Sequence, residues 1–149
     1  MTGEDFIKVA SELVAPFLSG KKSASEALCW TIVSRSYYGA YHLVATYLLG
    51  LGFPPTTDHN APKRWLVASG DSNAKKAGYL LGDLYSARQR ADYKLSDRKA
   101  LEESRDLGFV RHQIEWASDV KSLIELCSVE PARSAVKAGI EAYRQREQR

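Results

Sequence analysis

"ALCWTIVSRSYYGAYHLVATYLLG", residues 27–50, is the stretch on which the fold turns. At about 100° of rotation per residue, Trp30, Val33, Tyr37, Tyr41, Val44 and Leu48 fall on one stripe, in the alternating three- and four-residue steps of a packed helical seam. The opposite side is apolar too. Leu28, Ile32, Gly39 and Leu49 share it with Arg35 and His42. A helix apolar on both sides is covered on both sides, and one small bundle has difficulty covering the second. The economical cover is a second copy of the chain, with a two-fold axis near Gly39, where a missing side chain lets another backbone approach. Ser23 and Glu26 form a capping box that starts this helix, and "GLG", residues 50–52, ends it.

Outward from this helix the periodicity remains that of helices, and no segment alternates as a strand would. A first helix is expected from about residue 5 to 18, with Phe6, Val9, Ala10, Leu13, Val14 and Phe17 inward and Pro16 bending its last turn. A short third helix should follow Asp58 as cap and reach residue 69, with Pro62 in its first turn. A fourth covers about residues 73–93. A long fifth, capped by Ser96, runs to about Cys127, and Glu130-Pro131 opens a terminal helix. Five to six helices joined by short connections predict an all-α, up-and-down antiparallel bundle. Residues 1–149 read as one domain, with a core over about 5–127 and an additional C-terminal helix over 130–149.

The 149 residues carry a net charge of +3, and the excess lies after residue 60, where any phosphate-facing surface is expected. "KRWLVASG" and "YRQREQR" are basic stretches there. Cys29 and Cys127 stand far apart without a Cys-x-x-Cys pair, so buried free thiols in a reducing compartment are expected. The opening residues lack the basic start and apolar run of a secretory signal. The longest apolar run is too short for a bilayer span, which needs about 20 residues. A cytoplasmic protein without membrane contact is the expectation.

Arg35 and His42 lie two turns apart on one helix face. An imidazole transfers protons near neutral pH, and a guanidinium binds phosphate oxygens and steadies the charge of a phosphorane. The same face is open to a plainer account, in which Arg35 meets water or a carboxylate and His42 is a hydrogen-bonded interface residue. Asp92 has two partners at hand, Arg35 and, one turn away, Arg88. Tyr38 stands at the edge of the same face, suited to base stacking or to packing. Arg105 and His112 repeat the Arg35–His42 spacing on the stripe of Leu101, Phe109, Trp116 and Leu123, the expected core seam of the fifth helix. His42, His59 and His112 lack metal-ligand spacing, and no phosphate-cradling glycine loop or nucleophile elbow occurs. Neither metal nor cofactor is expected.

"SRSYYGAYH", residues 34–42, followed by "RQRADY", residues 88–93, resembles the HEPN domains, the higher-eukaryote and prokaryote nucleotide-binding superfamily, and in particular its small stand-alone prokaryotic members. The likeness covers about residues 5–127. It implies a helical bundle that forms a homodimer. For the active branch it implies a metal-independent endoribonuclease with an Arg-x4–6-His motif, which Arg35 and His42 satisfy, leaving a cyclic phosphate and a 5′-hydroxyl. Arg88, Asp92, Tyr93 and Tyr38 are then RNA-binding or supporting residues, and Arg105 with His112 is an alternative catalytic pair. Such domains act as toxins or in defence, often beside an antitoxin or nucleotidyltransferase partner. Others lack activity and bind RNA, a nucleotide or a protein partner.

Overall fold

The computed structural model describes residues 1–19, 25–93 and 98–149. Those residues form seven helices and no strand: α1 (Gly3–Leu18), α2 (Glu26–Gly50), α3 (Ala61–Ala68), α4 (Ser72–Tyr93), α5 (Arg98–Ser104), α6 (Leu107–Cys127) and α7 (Ala132–Glu147). The all-α bundle expected from the periodicity is what the chain forms. Of the expected caps, Ser23 and Ser96 lie outside the described residues, as does the side chain of Phe17.

Side-chain oxygens set most helix starts. α1 begins two residues earlier than expected because Thr2 and Asp5 cap each other: the Thr2 amide donates to Asp5 Oδ2 at 2.7 Å and the Asp5 amide to Thr2 Oγ1 at 3.2 Å. Ser25 caps α2 by accepting from the Leu28 amide. Asp71 Oδ1 accepts from both Asn73 and Ala74 amides at 2.9 Å and starts α4. Asp58 sits just upstream of α3, where it takes the Asn60 amide at 2.8 Å and the Arg64 guanidinium at 2.7 Å. Asn60, at the cap position itself, makes no side-chain capping bond.

The expected long fifth helix is two. Asp106 leaves helical geometry at φ −105° and ψ 99°, and its side chain accepts from the Phe109 amide. That is a fresh N-cap, and it divides α5 from α6. The apolar period runs through the break, which is why periodicity alone joins the two.

α2 is the central element, packed by α1, α4 and α6. On its seam Val33, Tyr37, Val44 and Leu48 are buried, with Trp30 and Tyr41 partly so. Its second face is covered as well, but by α1 of the same chain. A Cβ on Gly39 would stand 2.7 Å from Ile7 Cγ1 and 3.0 Å from the Gly3 carbonyl; one on Gly3 would meet the Gly39 carbonyl and Leu43. The two glycines thus let α1 and α2 run antiparallel at close range, and Ile32 behind them is fully buried. A two-fold axis at Gly39 is therefore excluded: the backbone that approaches there is Gly3.

Elsewhere the core is continuous from Ile7 to Ile140. Tyr47 donates to the Cys127 carbonyl at 2.9 Å, tying the end of α2 to the end of α6. α7 docks through buried Val136 and Ile140, with Gly139 against the Ser69 carbonyl and the Arg144 guanidinium over the Phe53 and Trp65 rings at 5.4 and 5.2 Å. Both cysteines are buried free thiols, and burial pushes Cys127 up to about 12. Among the described residues no helix is long and apolar enough to cross a membrane.

Candidate nucleic-acid cleft

Arg35 and His42 are both exposed on α2, and both rest on one ring from α1. The His42 imidazole stacks on Phe6 with centroids 5.3 Å apart and planes 16° from parallel. The Arg35 guanidinium lies over the same ring, 5.4 Å from its centroid. Seven residues of helix separate the two by about 10 Å along the axis, so the phenyl ring fills the interval between them. Each group is held by the ring, and they are held apart. Donors that share one phosphate stand about 2.9 Å from its oxygens, and a ring in contact with both groups opposes that approach within one chain.

The groups also open into different clefts. Arg35 lines a polar cleft of about 340 Å³ with Trp30, Thr31, Ser34, Tyr38 and Asp92. His42 borders a larger one of about 670 Å³, walled by the start of α1, by Leu43, Thr46 and Tyr47 of α2, and by Ile124 and Ser128. Among the described residues no carboxylate lies within ion-pair distance of Arg35.

Behind the first cleft the second motif is assembled around Arg88. The Arg88 side chain is only 10% exposed. Its Nε lies 2.7 Å from Asp92 Oδ2, one Nη donates to the Tyr38 hydroxyl and, at 3.2 Å, to the Tyr93 hydroxyl. The Tyr37, Tyr38 and Tyr93 rings lie 5.0–5.8 Å from its centre. Burial pulls the Arg88 pKa down, but Tyr38, Asp92 and Tyr93 outweigh it and hold the group above its ordinary value. Of Asp92's two candidate partners, Arg88 is the one it takes. Asp92 Oδ2 also receives a weak bond from Ser34 Oγ at 3.5 Å. Arg88 therefore fixes Tyr38 and Asp92 as the cleft wall on which Arg35 stands.

The alternative pair is not brought together. Arg105 lies in the connection before α6, 69% exposed, and pairs with Glu26 at 2.8 Å. His112 is on α6, 62% exposed, beside Glu115 and stacked on Trp116. The buried face of α6 runs through Val110, Gln113, Ile114, Ala117, Val120 and Leu123, so of the expected seam Leu123 is buried while Phe109 and Trp116 are only partly so. Sequence reasoning does not reach four residues of the site: Phe6, which it places in the core, Trp30, which it places on the seam, and Thr31 and Ser34, which it does not single out. For Phe6 no local signal existed, since its contact with Arg35 and His42 depends on how α1 is docked.

A further aromatic group adjoins the site. Tyr37 is fully buried, burial raises its phenol well above the ordinary value, and its hydroxyl meets His59 Nδ1 at 3.3 Å. Tyr41 and Tyr85 flank that histidine. The three tyrosines of residues 34–42 thus have three main neighbourhoods: core for Tyr37, the Arg88 network for Tyr38, and His42 with His59 for Tyr41. No family model, curated protein or solved structure matches this chain.

Proposed function

We propose that this chain is a metal-independent endoribonuclease of the HEPN kind acting as a homodimer, the toxin of a toxin–antitoxin or defence pair. The observation that carries the reading is the exposed pair on α2: a guanidinium with no carboxylate partner among the described residues, and an imidazole, both oriented by Phe6. Arg35 would hold the non-bridging phosphate oxygens, whose negative charge grows as the phosphorane forms. His42 would take the proton from the ribose 2′-hydroxyl as that oxygen attacks phosphorus. The 5′-oxygen leaves and needs a proton in its turn, giving a 2′,3′-cyclic phosphate and a 5′-hydroxyl.

In-line displacement puts the attacking and leaving oxygens on opposite sides of phosphorus, so base and acid stand on opposite sides too. One chain offers one imidazole on this face. A second copy supplies the other, meeting the first along the Arg35–Phe6–His42 ridge and not at Gly39, which α1 occupies. The second reading is an inactive module that binds RNA, a nucleotide or a nucleotidyltransferase partner through the same face. The Phe6 ring between Arg35 and His42 favours it, because within one chain it keeps the two from a shared phosphate.

RNA cleavage in the presence of EDTA separates the readings. The enzyme reading expects cleavage by the wild-type chain, loss of about a hundredfold or more in His42→Ala and in Arg35→Ala, and products ending in cyclic phosphate. Equal inactivity of all three, with RNA still bound at low salt, would leave the binding module.

A further inference from the structure

We infer that the cleft beside Arg35 is a guanine-selective nucleotide site, with Asp92 as its specificity-determining residue. The inference deepens the reading of this α2 face as RNA-directed and rests on it for the polymer, though the site is argued for a single nucleotide. At about 340 Å³ the cleft is at the small end of ligand sites and fits one nucleotide. Its wall supplies three kinds of group in one place. Arg35 is the cation for a phosphate. Trp30 and Tyr38 are aromatic walls on which a base stacks. Asp92, its side chain 29% exposed, is a carboxylate, a group that accepts and does not donate.

The carboxylate decides which base. Arg88 Nε and Ser34 Oγ both address Oδ2, and among the described residues Oδ1 has no protein donor. A carboxylate accepts about four hydrogen bonds, so capacity remains on both oxygens, and the ion pair with Arg88 holds the group in one orientation. Guanine alone among the four RNA bases presents two neighbouring donors on one edge, N1–H and the 2-amino group. Adenine and cytosine present one donor beside an acceptor, and uracil one donor between two acceptors. An acceptor-only wall therefore favours guanine and repels the lone pairs of the others. Trp30 Nε1–H is buried and meets no protein acceptor among the described residues, and it belongs to a residue of the same wall, so its resonance reports on a base stacked there.

The test is a titration of the wild-type chain, followed through the Trp30 indole N–H resonance assigned with Trp30→Phe. Guanosine monophosphate should move that signal with a dissociation constant about tenfold or more below those of the adenosine, cytidine and uridine monophosphates. Inosine monophosphate, which lacks only the 2-amino group, should lose most of the advantage without any mutation of the protein. Asp92→Asn, which replaces one acceptor by a donor, should abolish the preference, whereas Arg35→Ala should weaken all four nucleotides alike. Equal affinities for all four, an inosine affinity equal to that for guanosine, or a Trp30 signal that no nucleotide moves would overturn the inference. Its failure is distinct from that of the ribonuclease reading. A chain that never cuts RNA can still select guanosine monophosphate, and one that cuts RNA can show no such selection.

Discussion

Gln113 carries a carboxamide into the core at no exposure, and neither its nitrogen nor its oxygen meets a protein partner among the described residues. Unpaired amides in an apolar interior cost free energy that a leucine of similar volume does not. Gln113→Leu is expected to raise the unfolding free energy by about 1–2 kcal/mol, read from urea melts; a loss of similar size would show that the amide is hydrogen-bonded in solution. Arg88 is a buried cation with a charged partner: it is ion-paired to Asp92 and donates through Nη to the Tyr38 and Tyr93 hydroxyls, although its Nε is not in hydrogen-bond geometry. Arg88→Met should cost about 2 kcal/mol, below the range for a fully buried pair because Asp92 is part-exposed and rehydrates. Tyr38→Phe, which removes one acceptor from the same guanidinium, should cost about 1 kcal/mol. An Arg88→Met variant as stable as wild type would mean that this network does not hold the cleft wall.

The α1–α2 contact sets the architecture at the next scale, and glycine makes it possible. A methyl at Gly39 runs into Ile7 and the Gly3 carbonyl, so Gly39→Ala should lose about 1–3 kcal/mol despite the better helix propensity of alanine. Gly50, also helical but with no atom within 4 Å of an added Cβ, is the control: Gly50→Ala should gain up to about 1 kcal/mol. A neutral or stabilised Gly39→Ala would return that face to a second copy of the chain. The start of α1 has its own signature. Asp5's carboxyl is held below the usual value, first by the Thr2 amide and then by its hydroxyl. A depressed carboxylate stabilises the fold above its unfolded pKa of about 3.9 and stops doing so as pH falls through the lowered value. The melting temperatures of wild type and Asp5→Asn should therefore differ at neutral pH and converge as acid protonates the carboxyl, as thermal melts would record. Rotation angle made the α2 seam legible in the sequence, and it also announced that the face bearing Gly39 is covered. It could not say by which chain, because a period reports burial and not the identity of the cover. The Asp106 break was hidden for the same reason: apolar spacing continues from Leu101 to Phe109 while one side chain recaps the backbone. The i,i+4 spacing offers Arg88 as one of two partners for Asp92 and leaves the choice with Arg35 open, because that choice, like the Phe6 contact, depends on how helices dock.

For the whole molecule the ring between Arg35 and His42 turns the question of activity into one of assembly. If each chain completed its own site, a chain lacking Arg35 and a chain lacking His42 would stay inactive when mixed, since neither holds both groups. If two copies share one cleft, a mixed dimer carries one arginine and one imidazole in that cleft and recovers part of the lost rate. Unfolding and refolding Arg35→Ala and His42→Ala together should therefore give RNA cleavage clearly above either parent, with the gain following the statistical fraction of mixed dimers. Light scattering fixes whether that fraction exists. Dimers without complementation would mean that the copies meet elsewhere, and monomers that cleave RNA would mean that Phe6 swings aside in one chain. Salt reports on the same assembly from the substrate side. Two copies pressed along one ridge present two Arg35 groups to a single strand, so log–log affinity for single-stranded RNA should fall more steeply with salt in the wild type than in Arg35→Ala, by about 1.4 in slope for the two phosphates released. A slope that Arg35→Ala leaves unchanged would take the phosphate away from Arg35 and, with it, the chemistry argued for this helix.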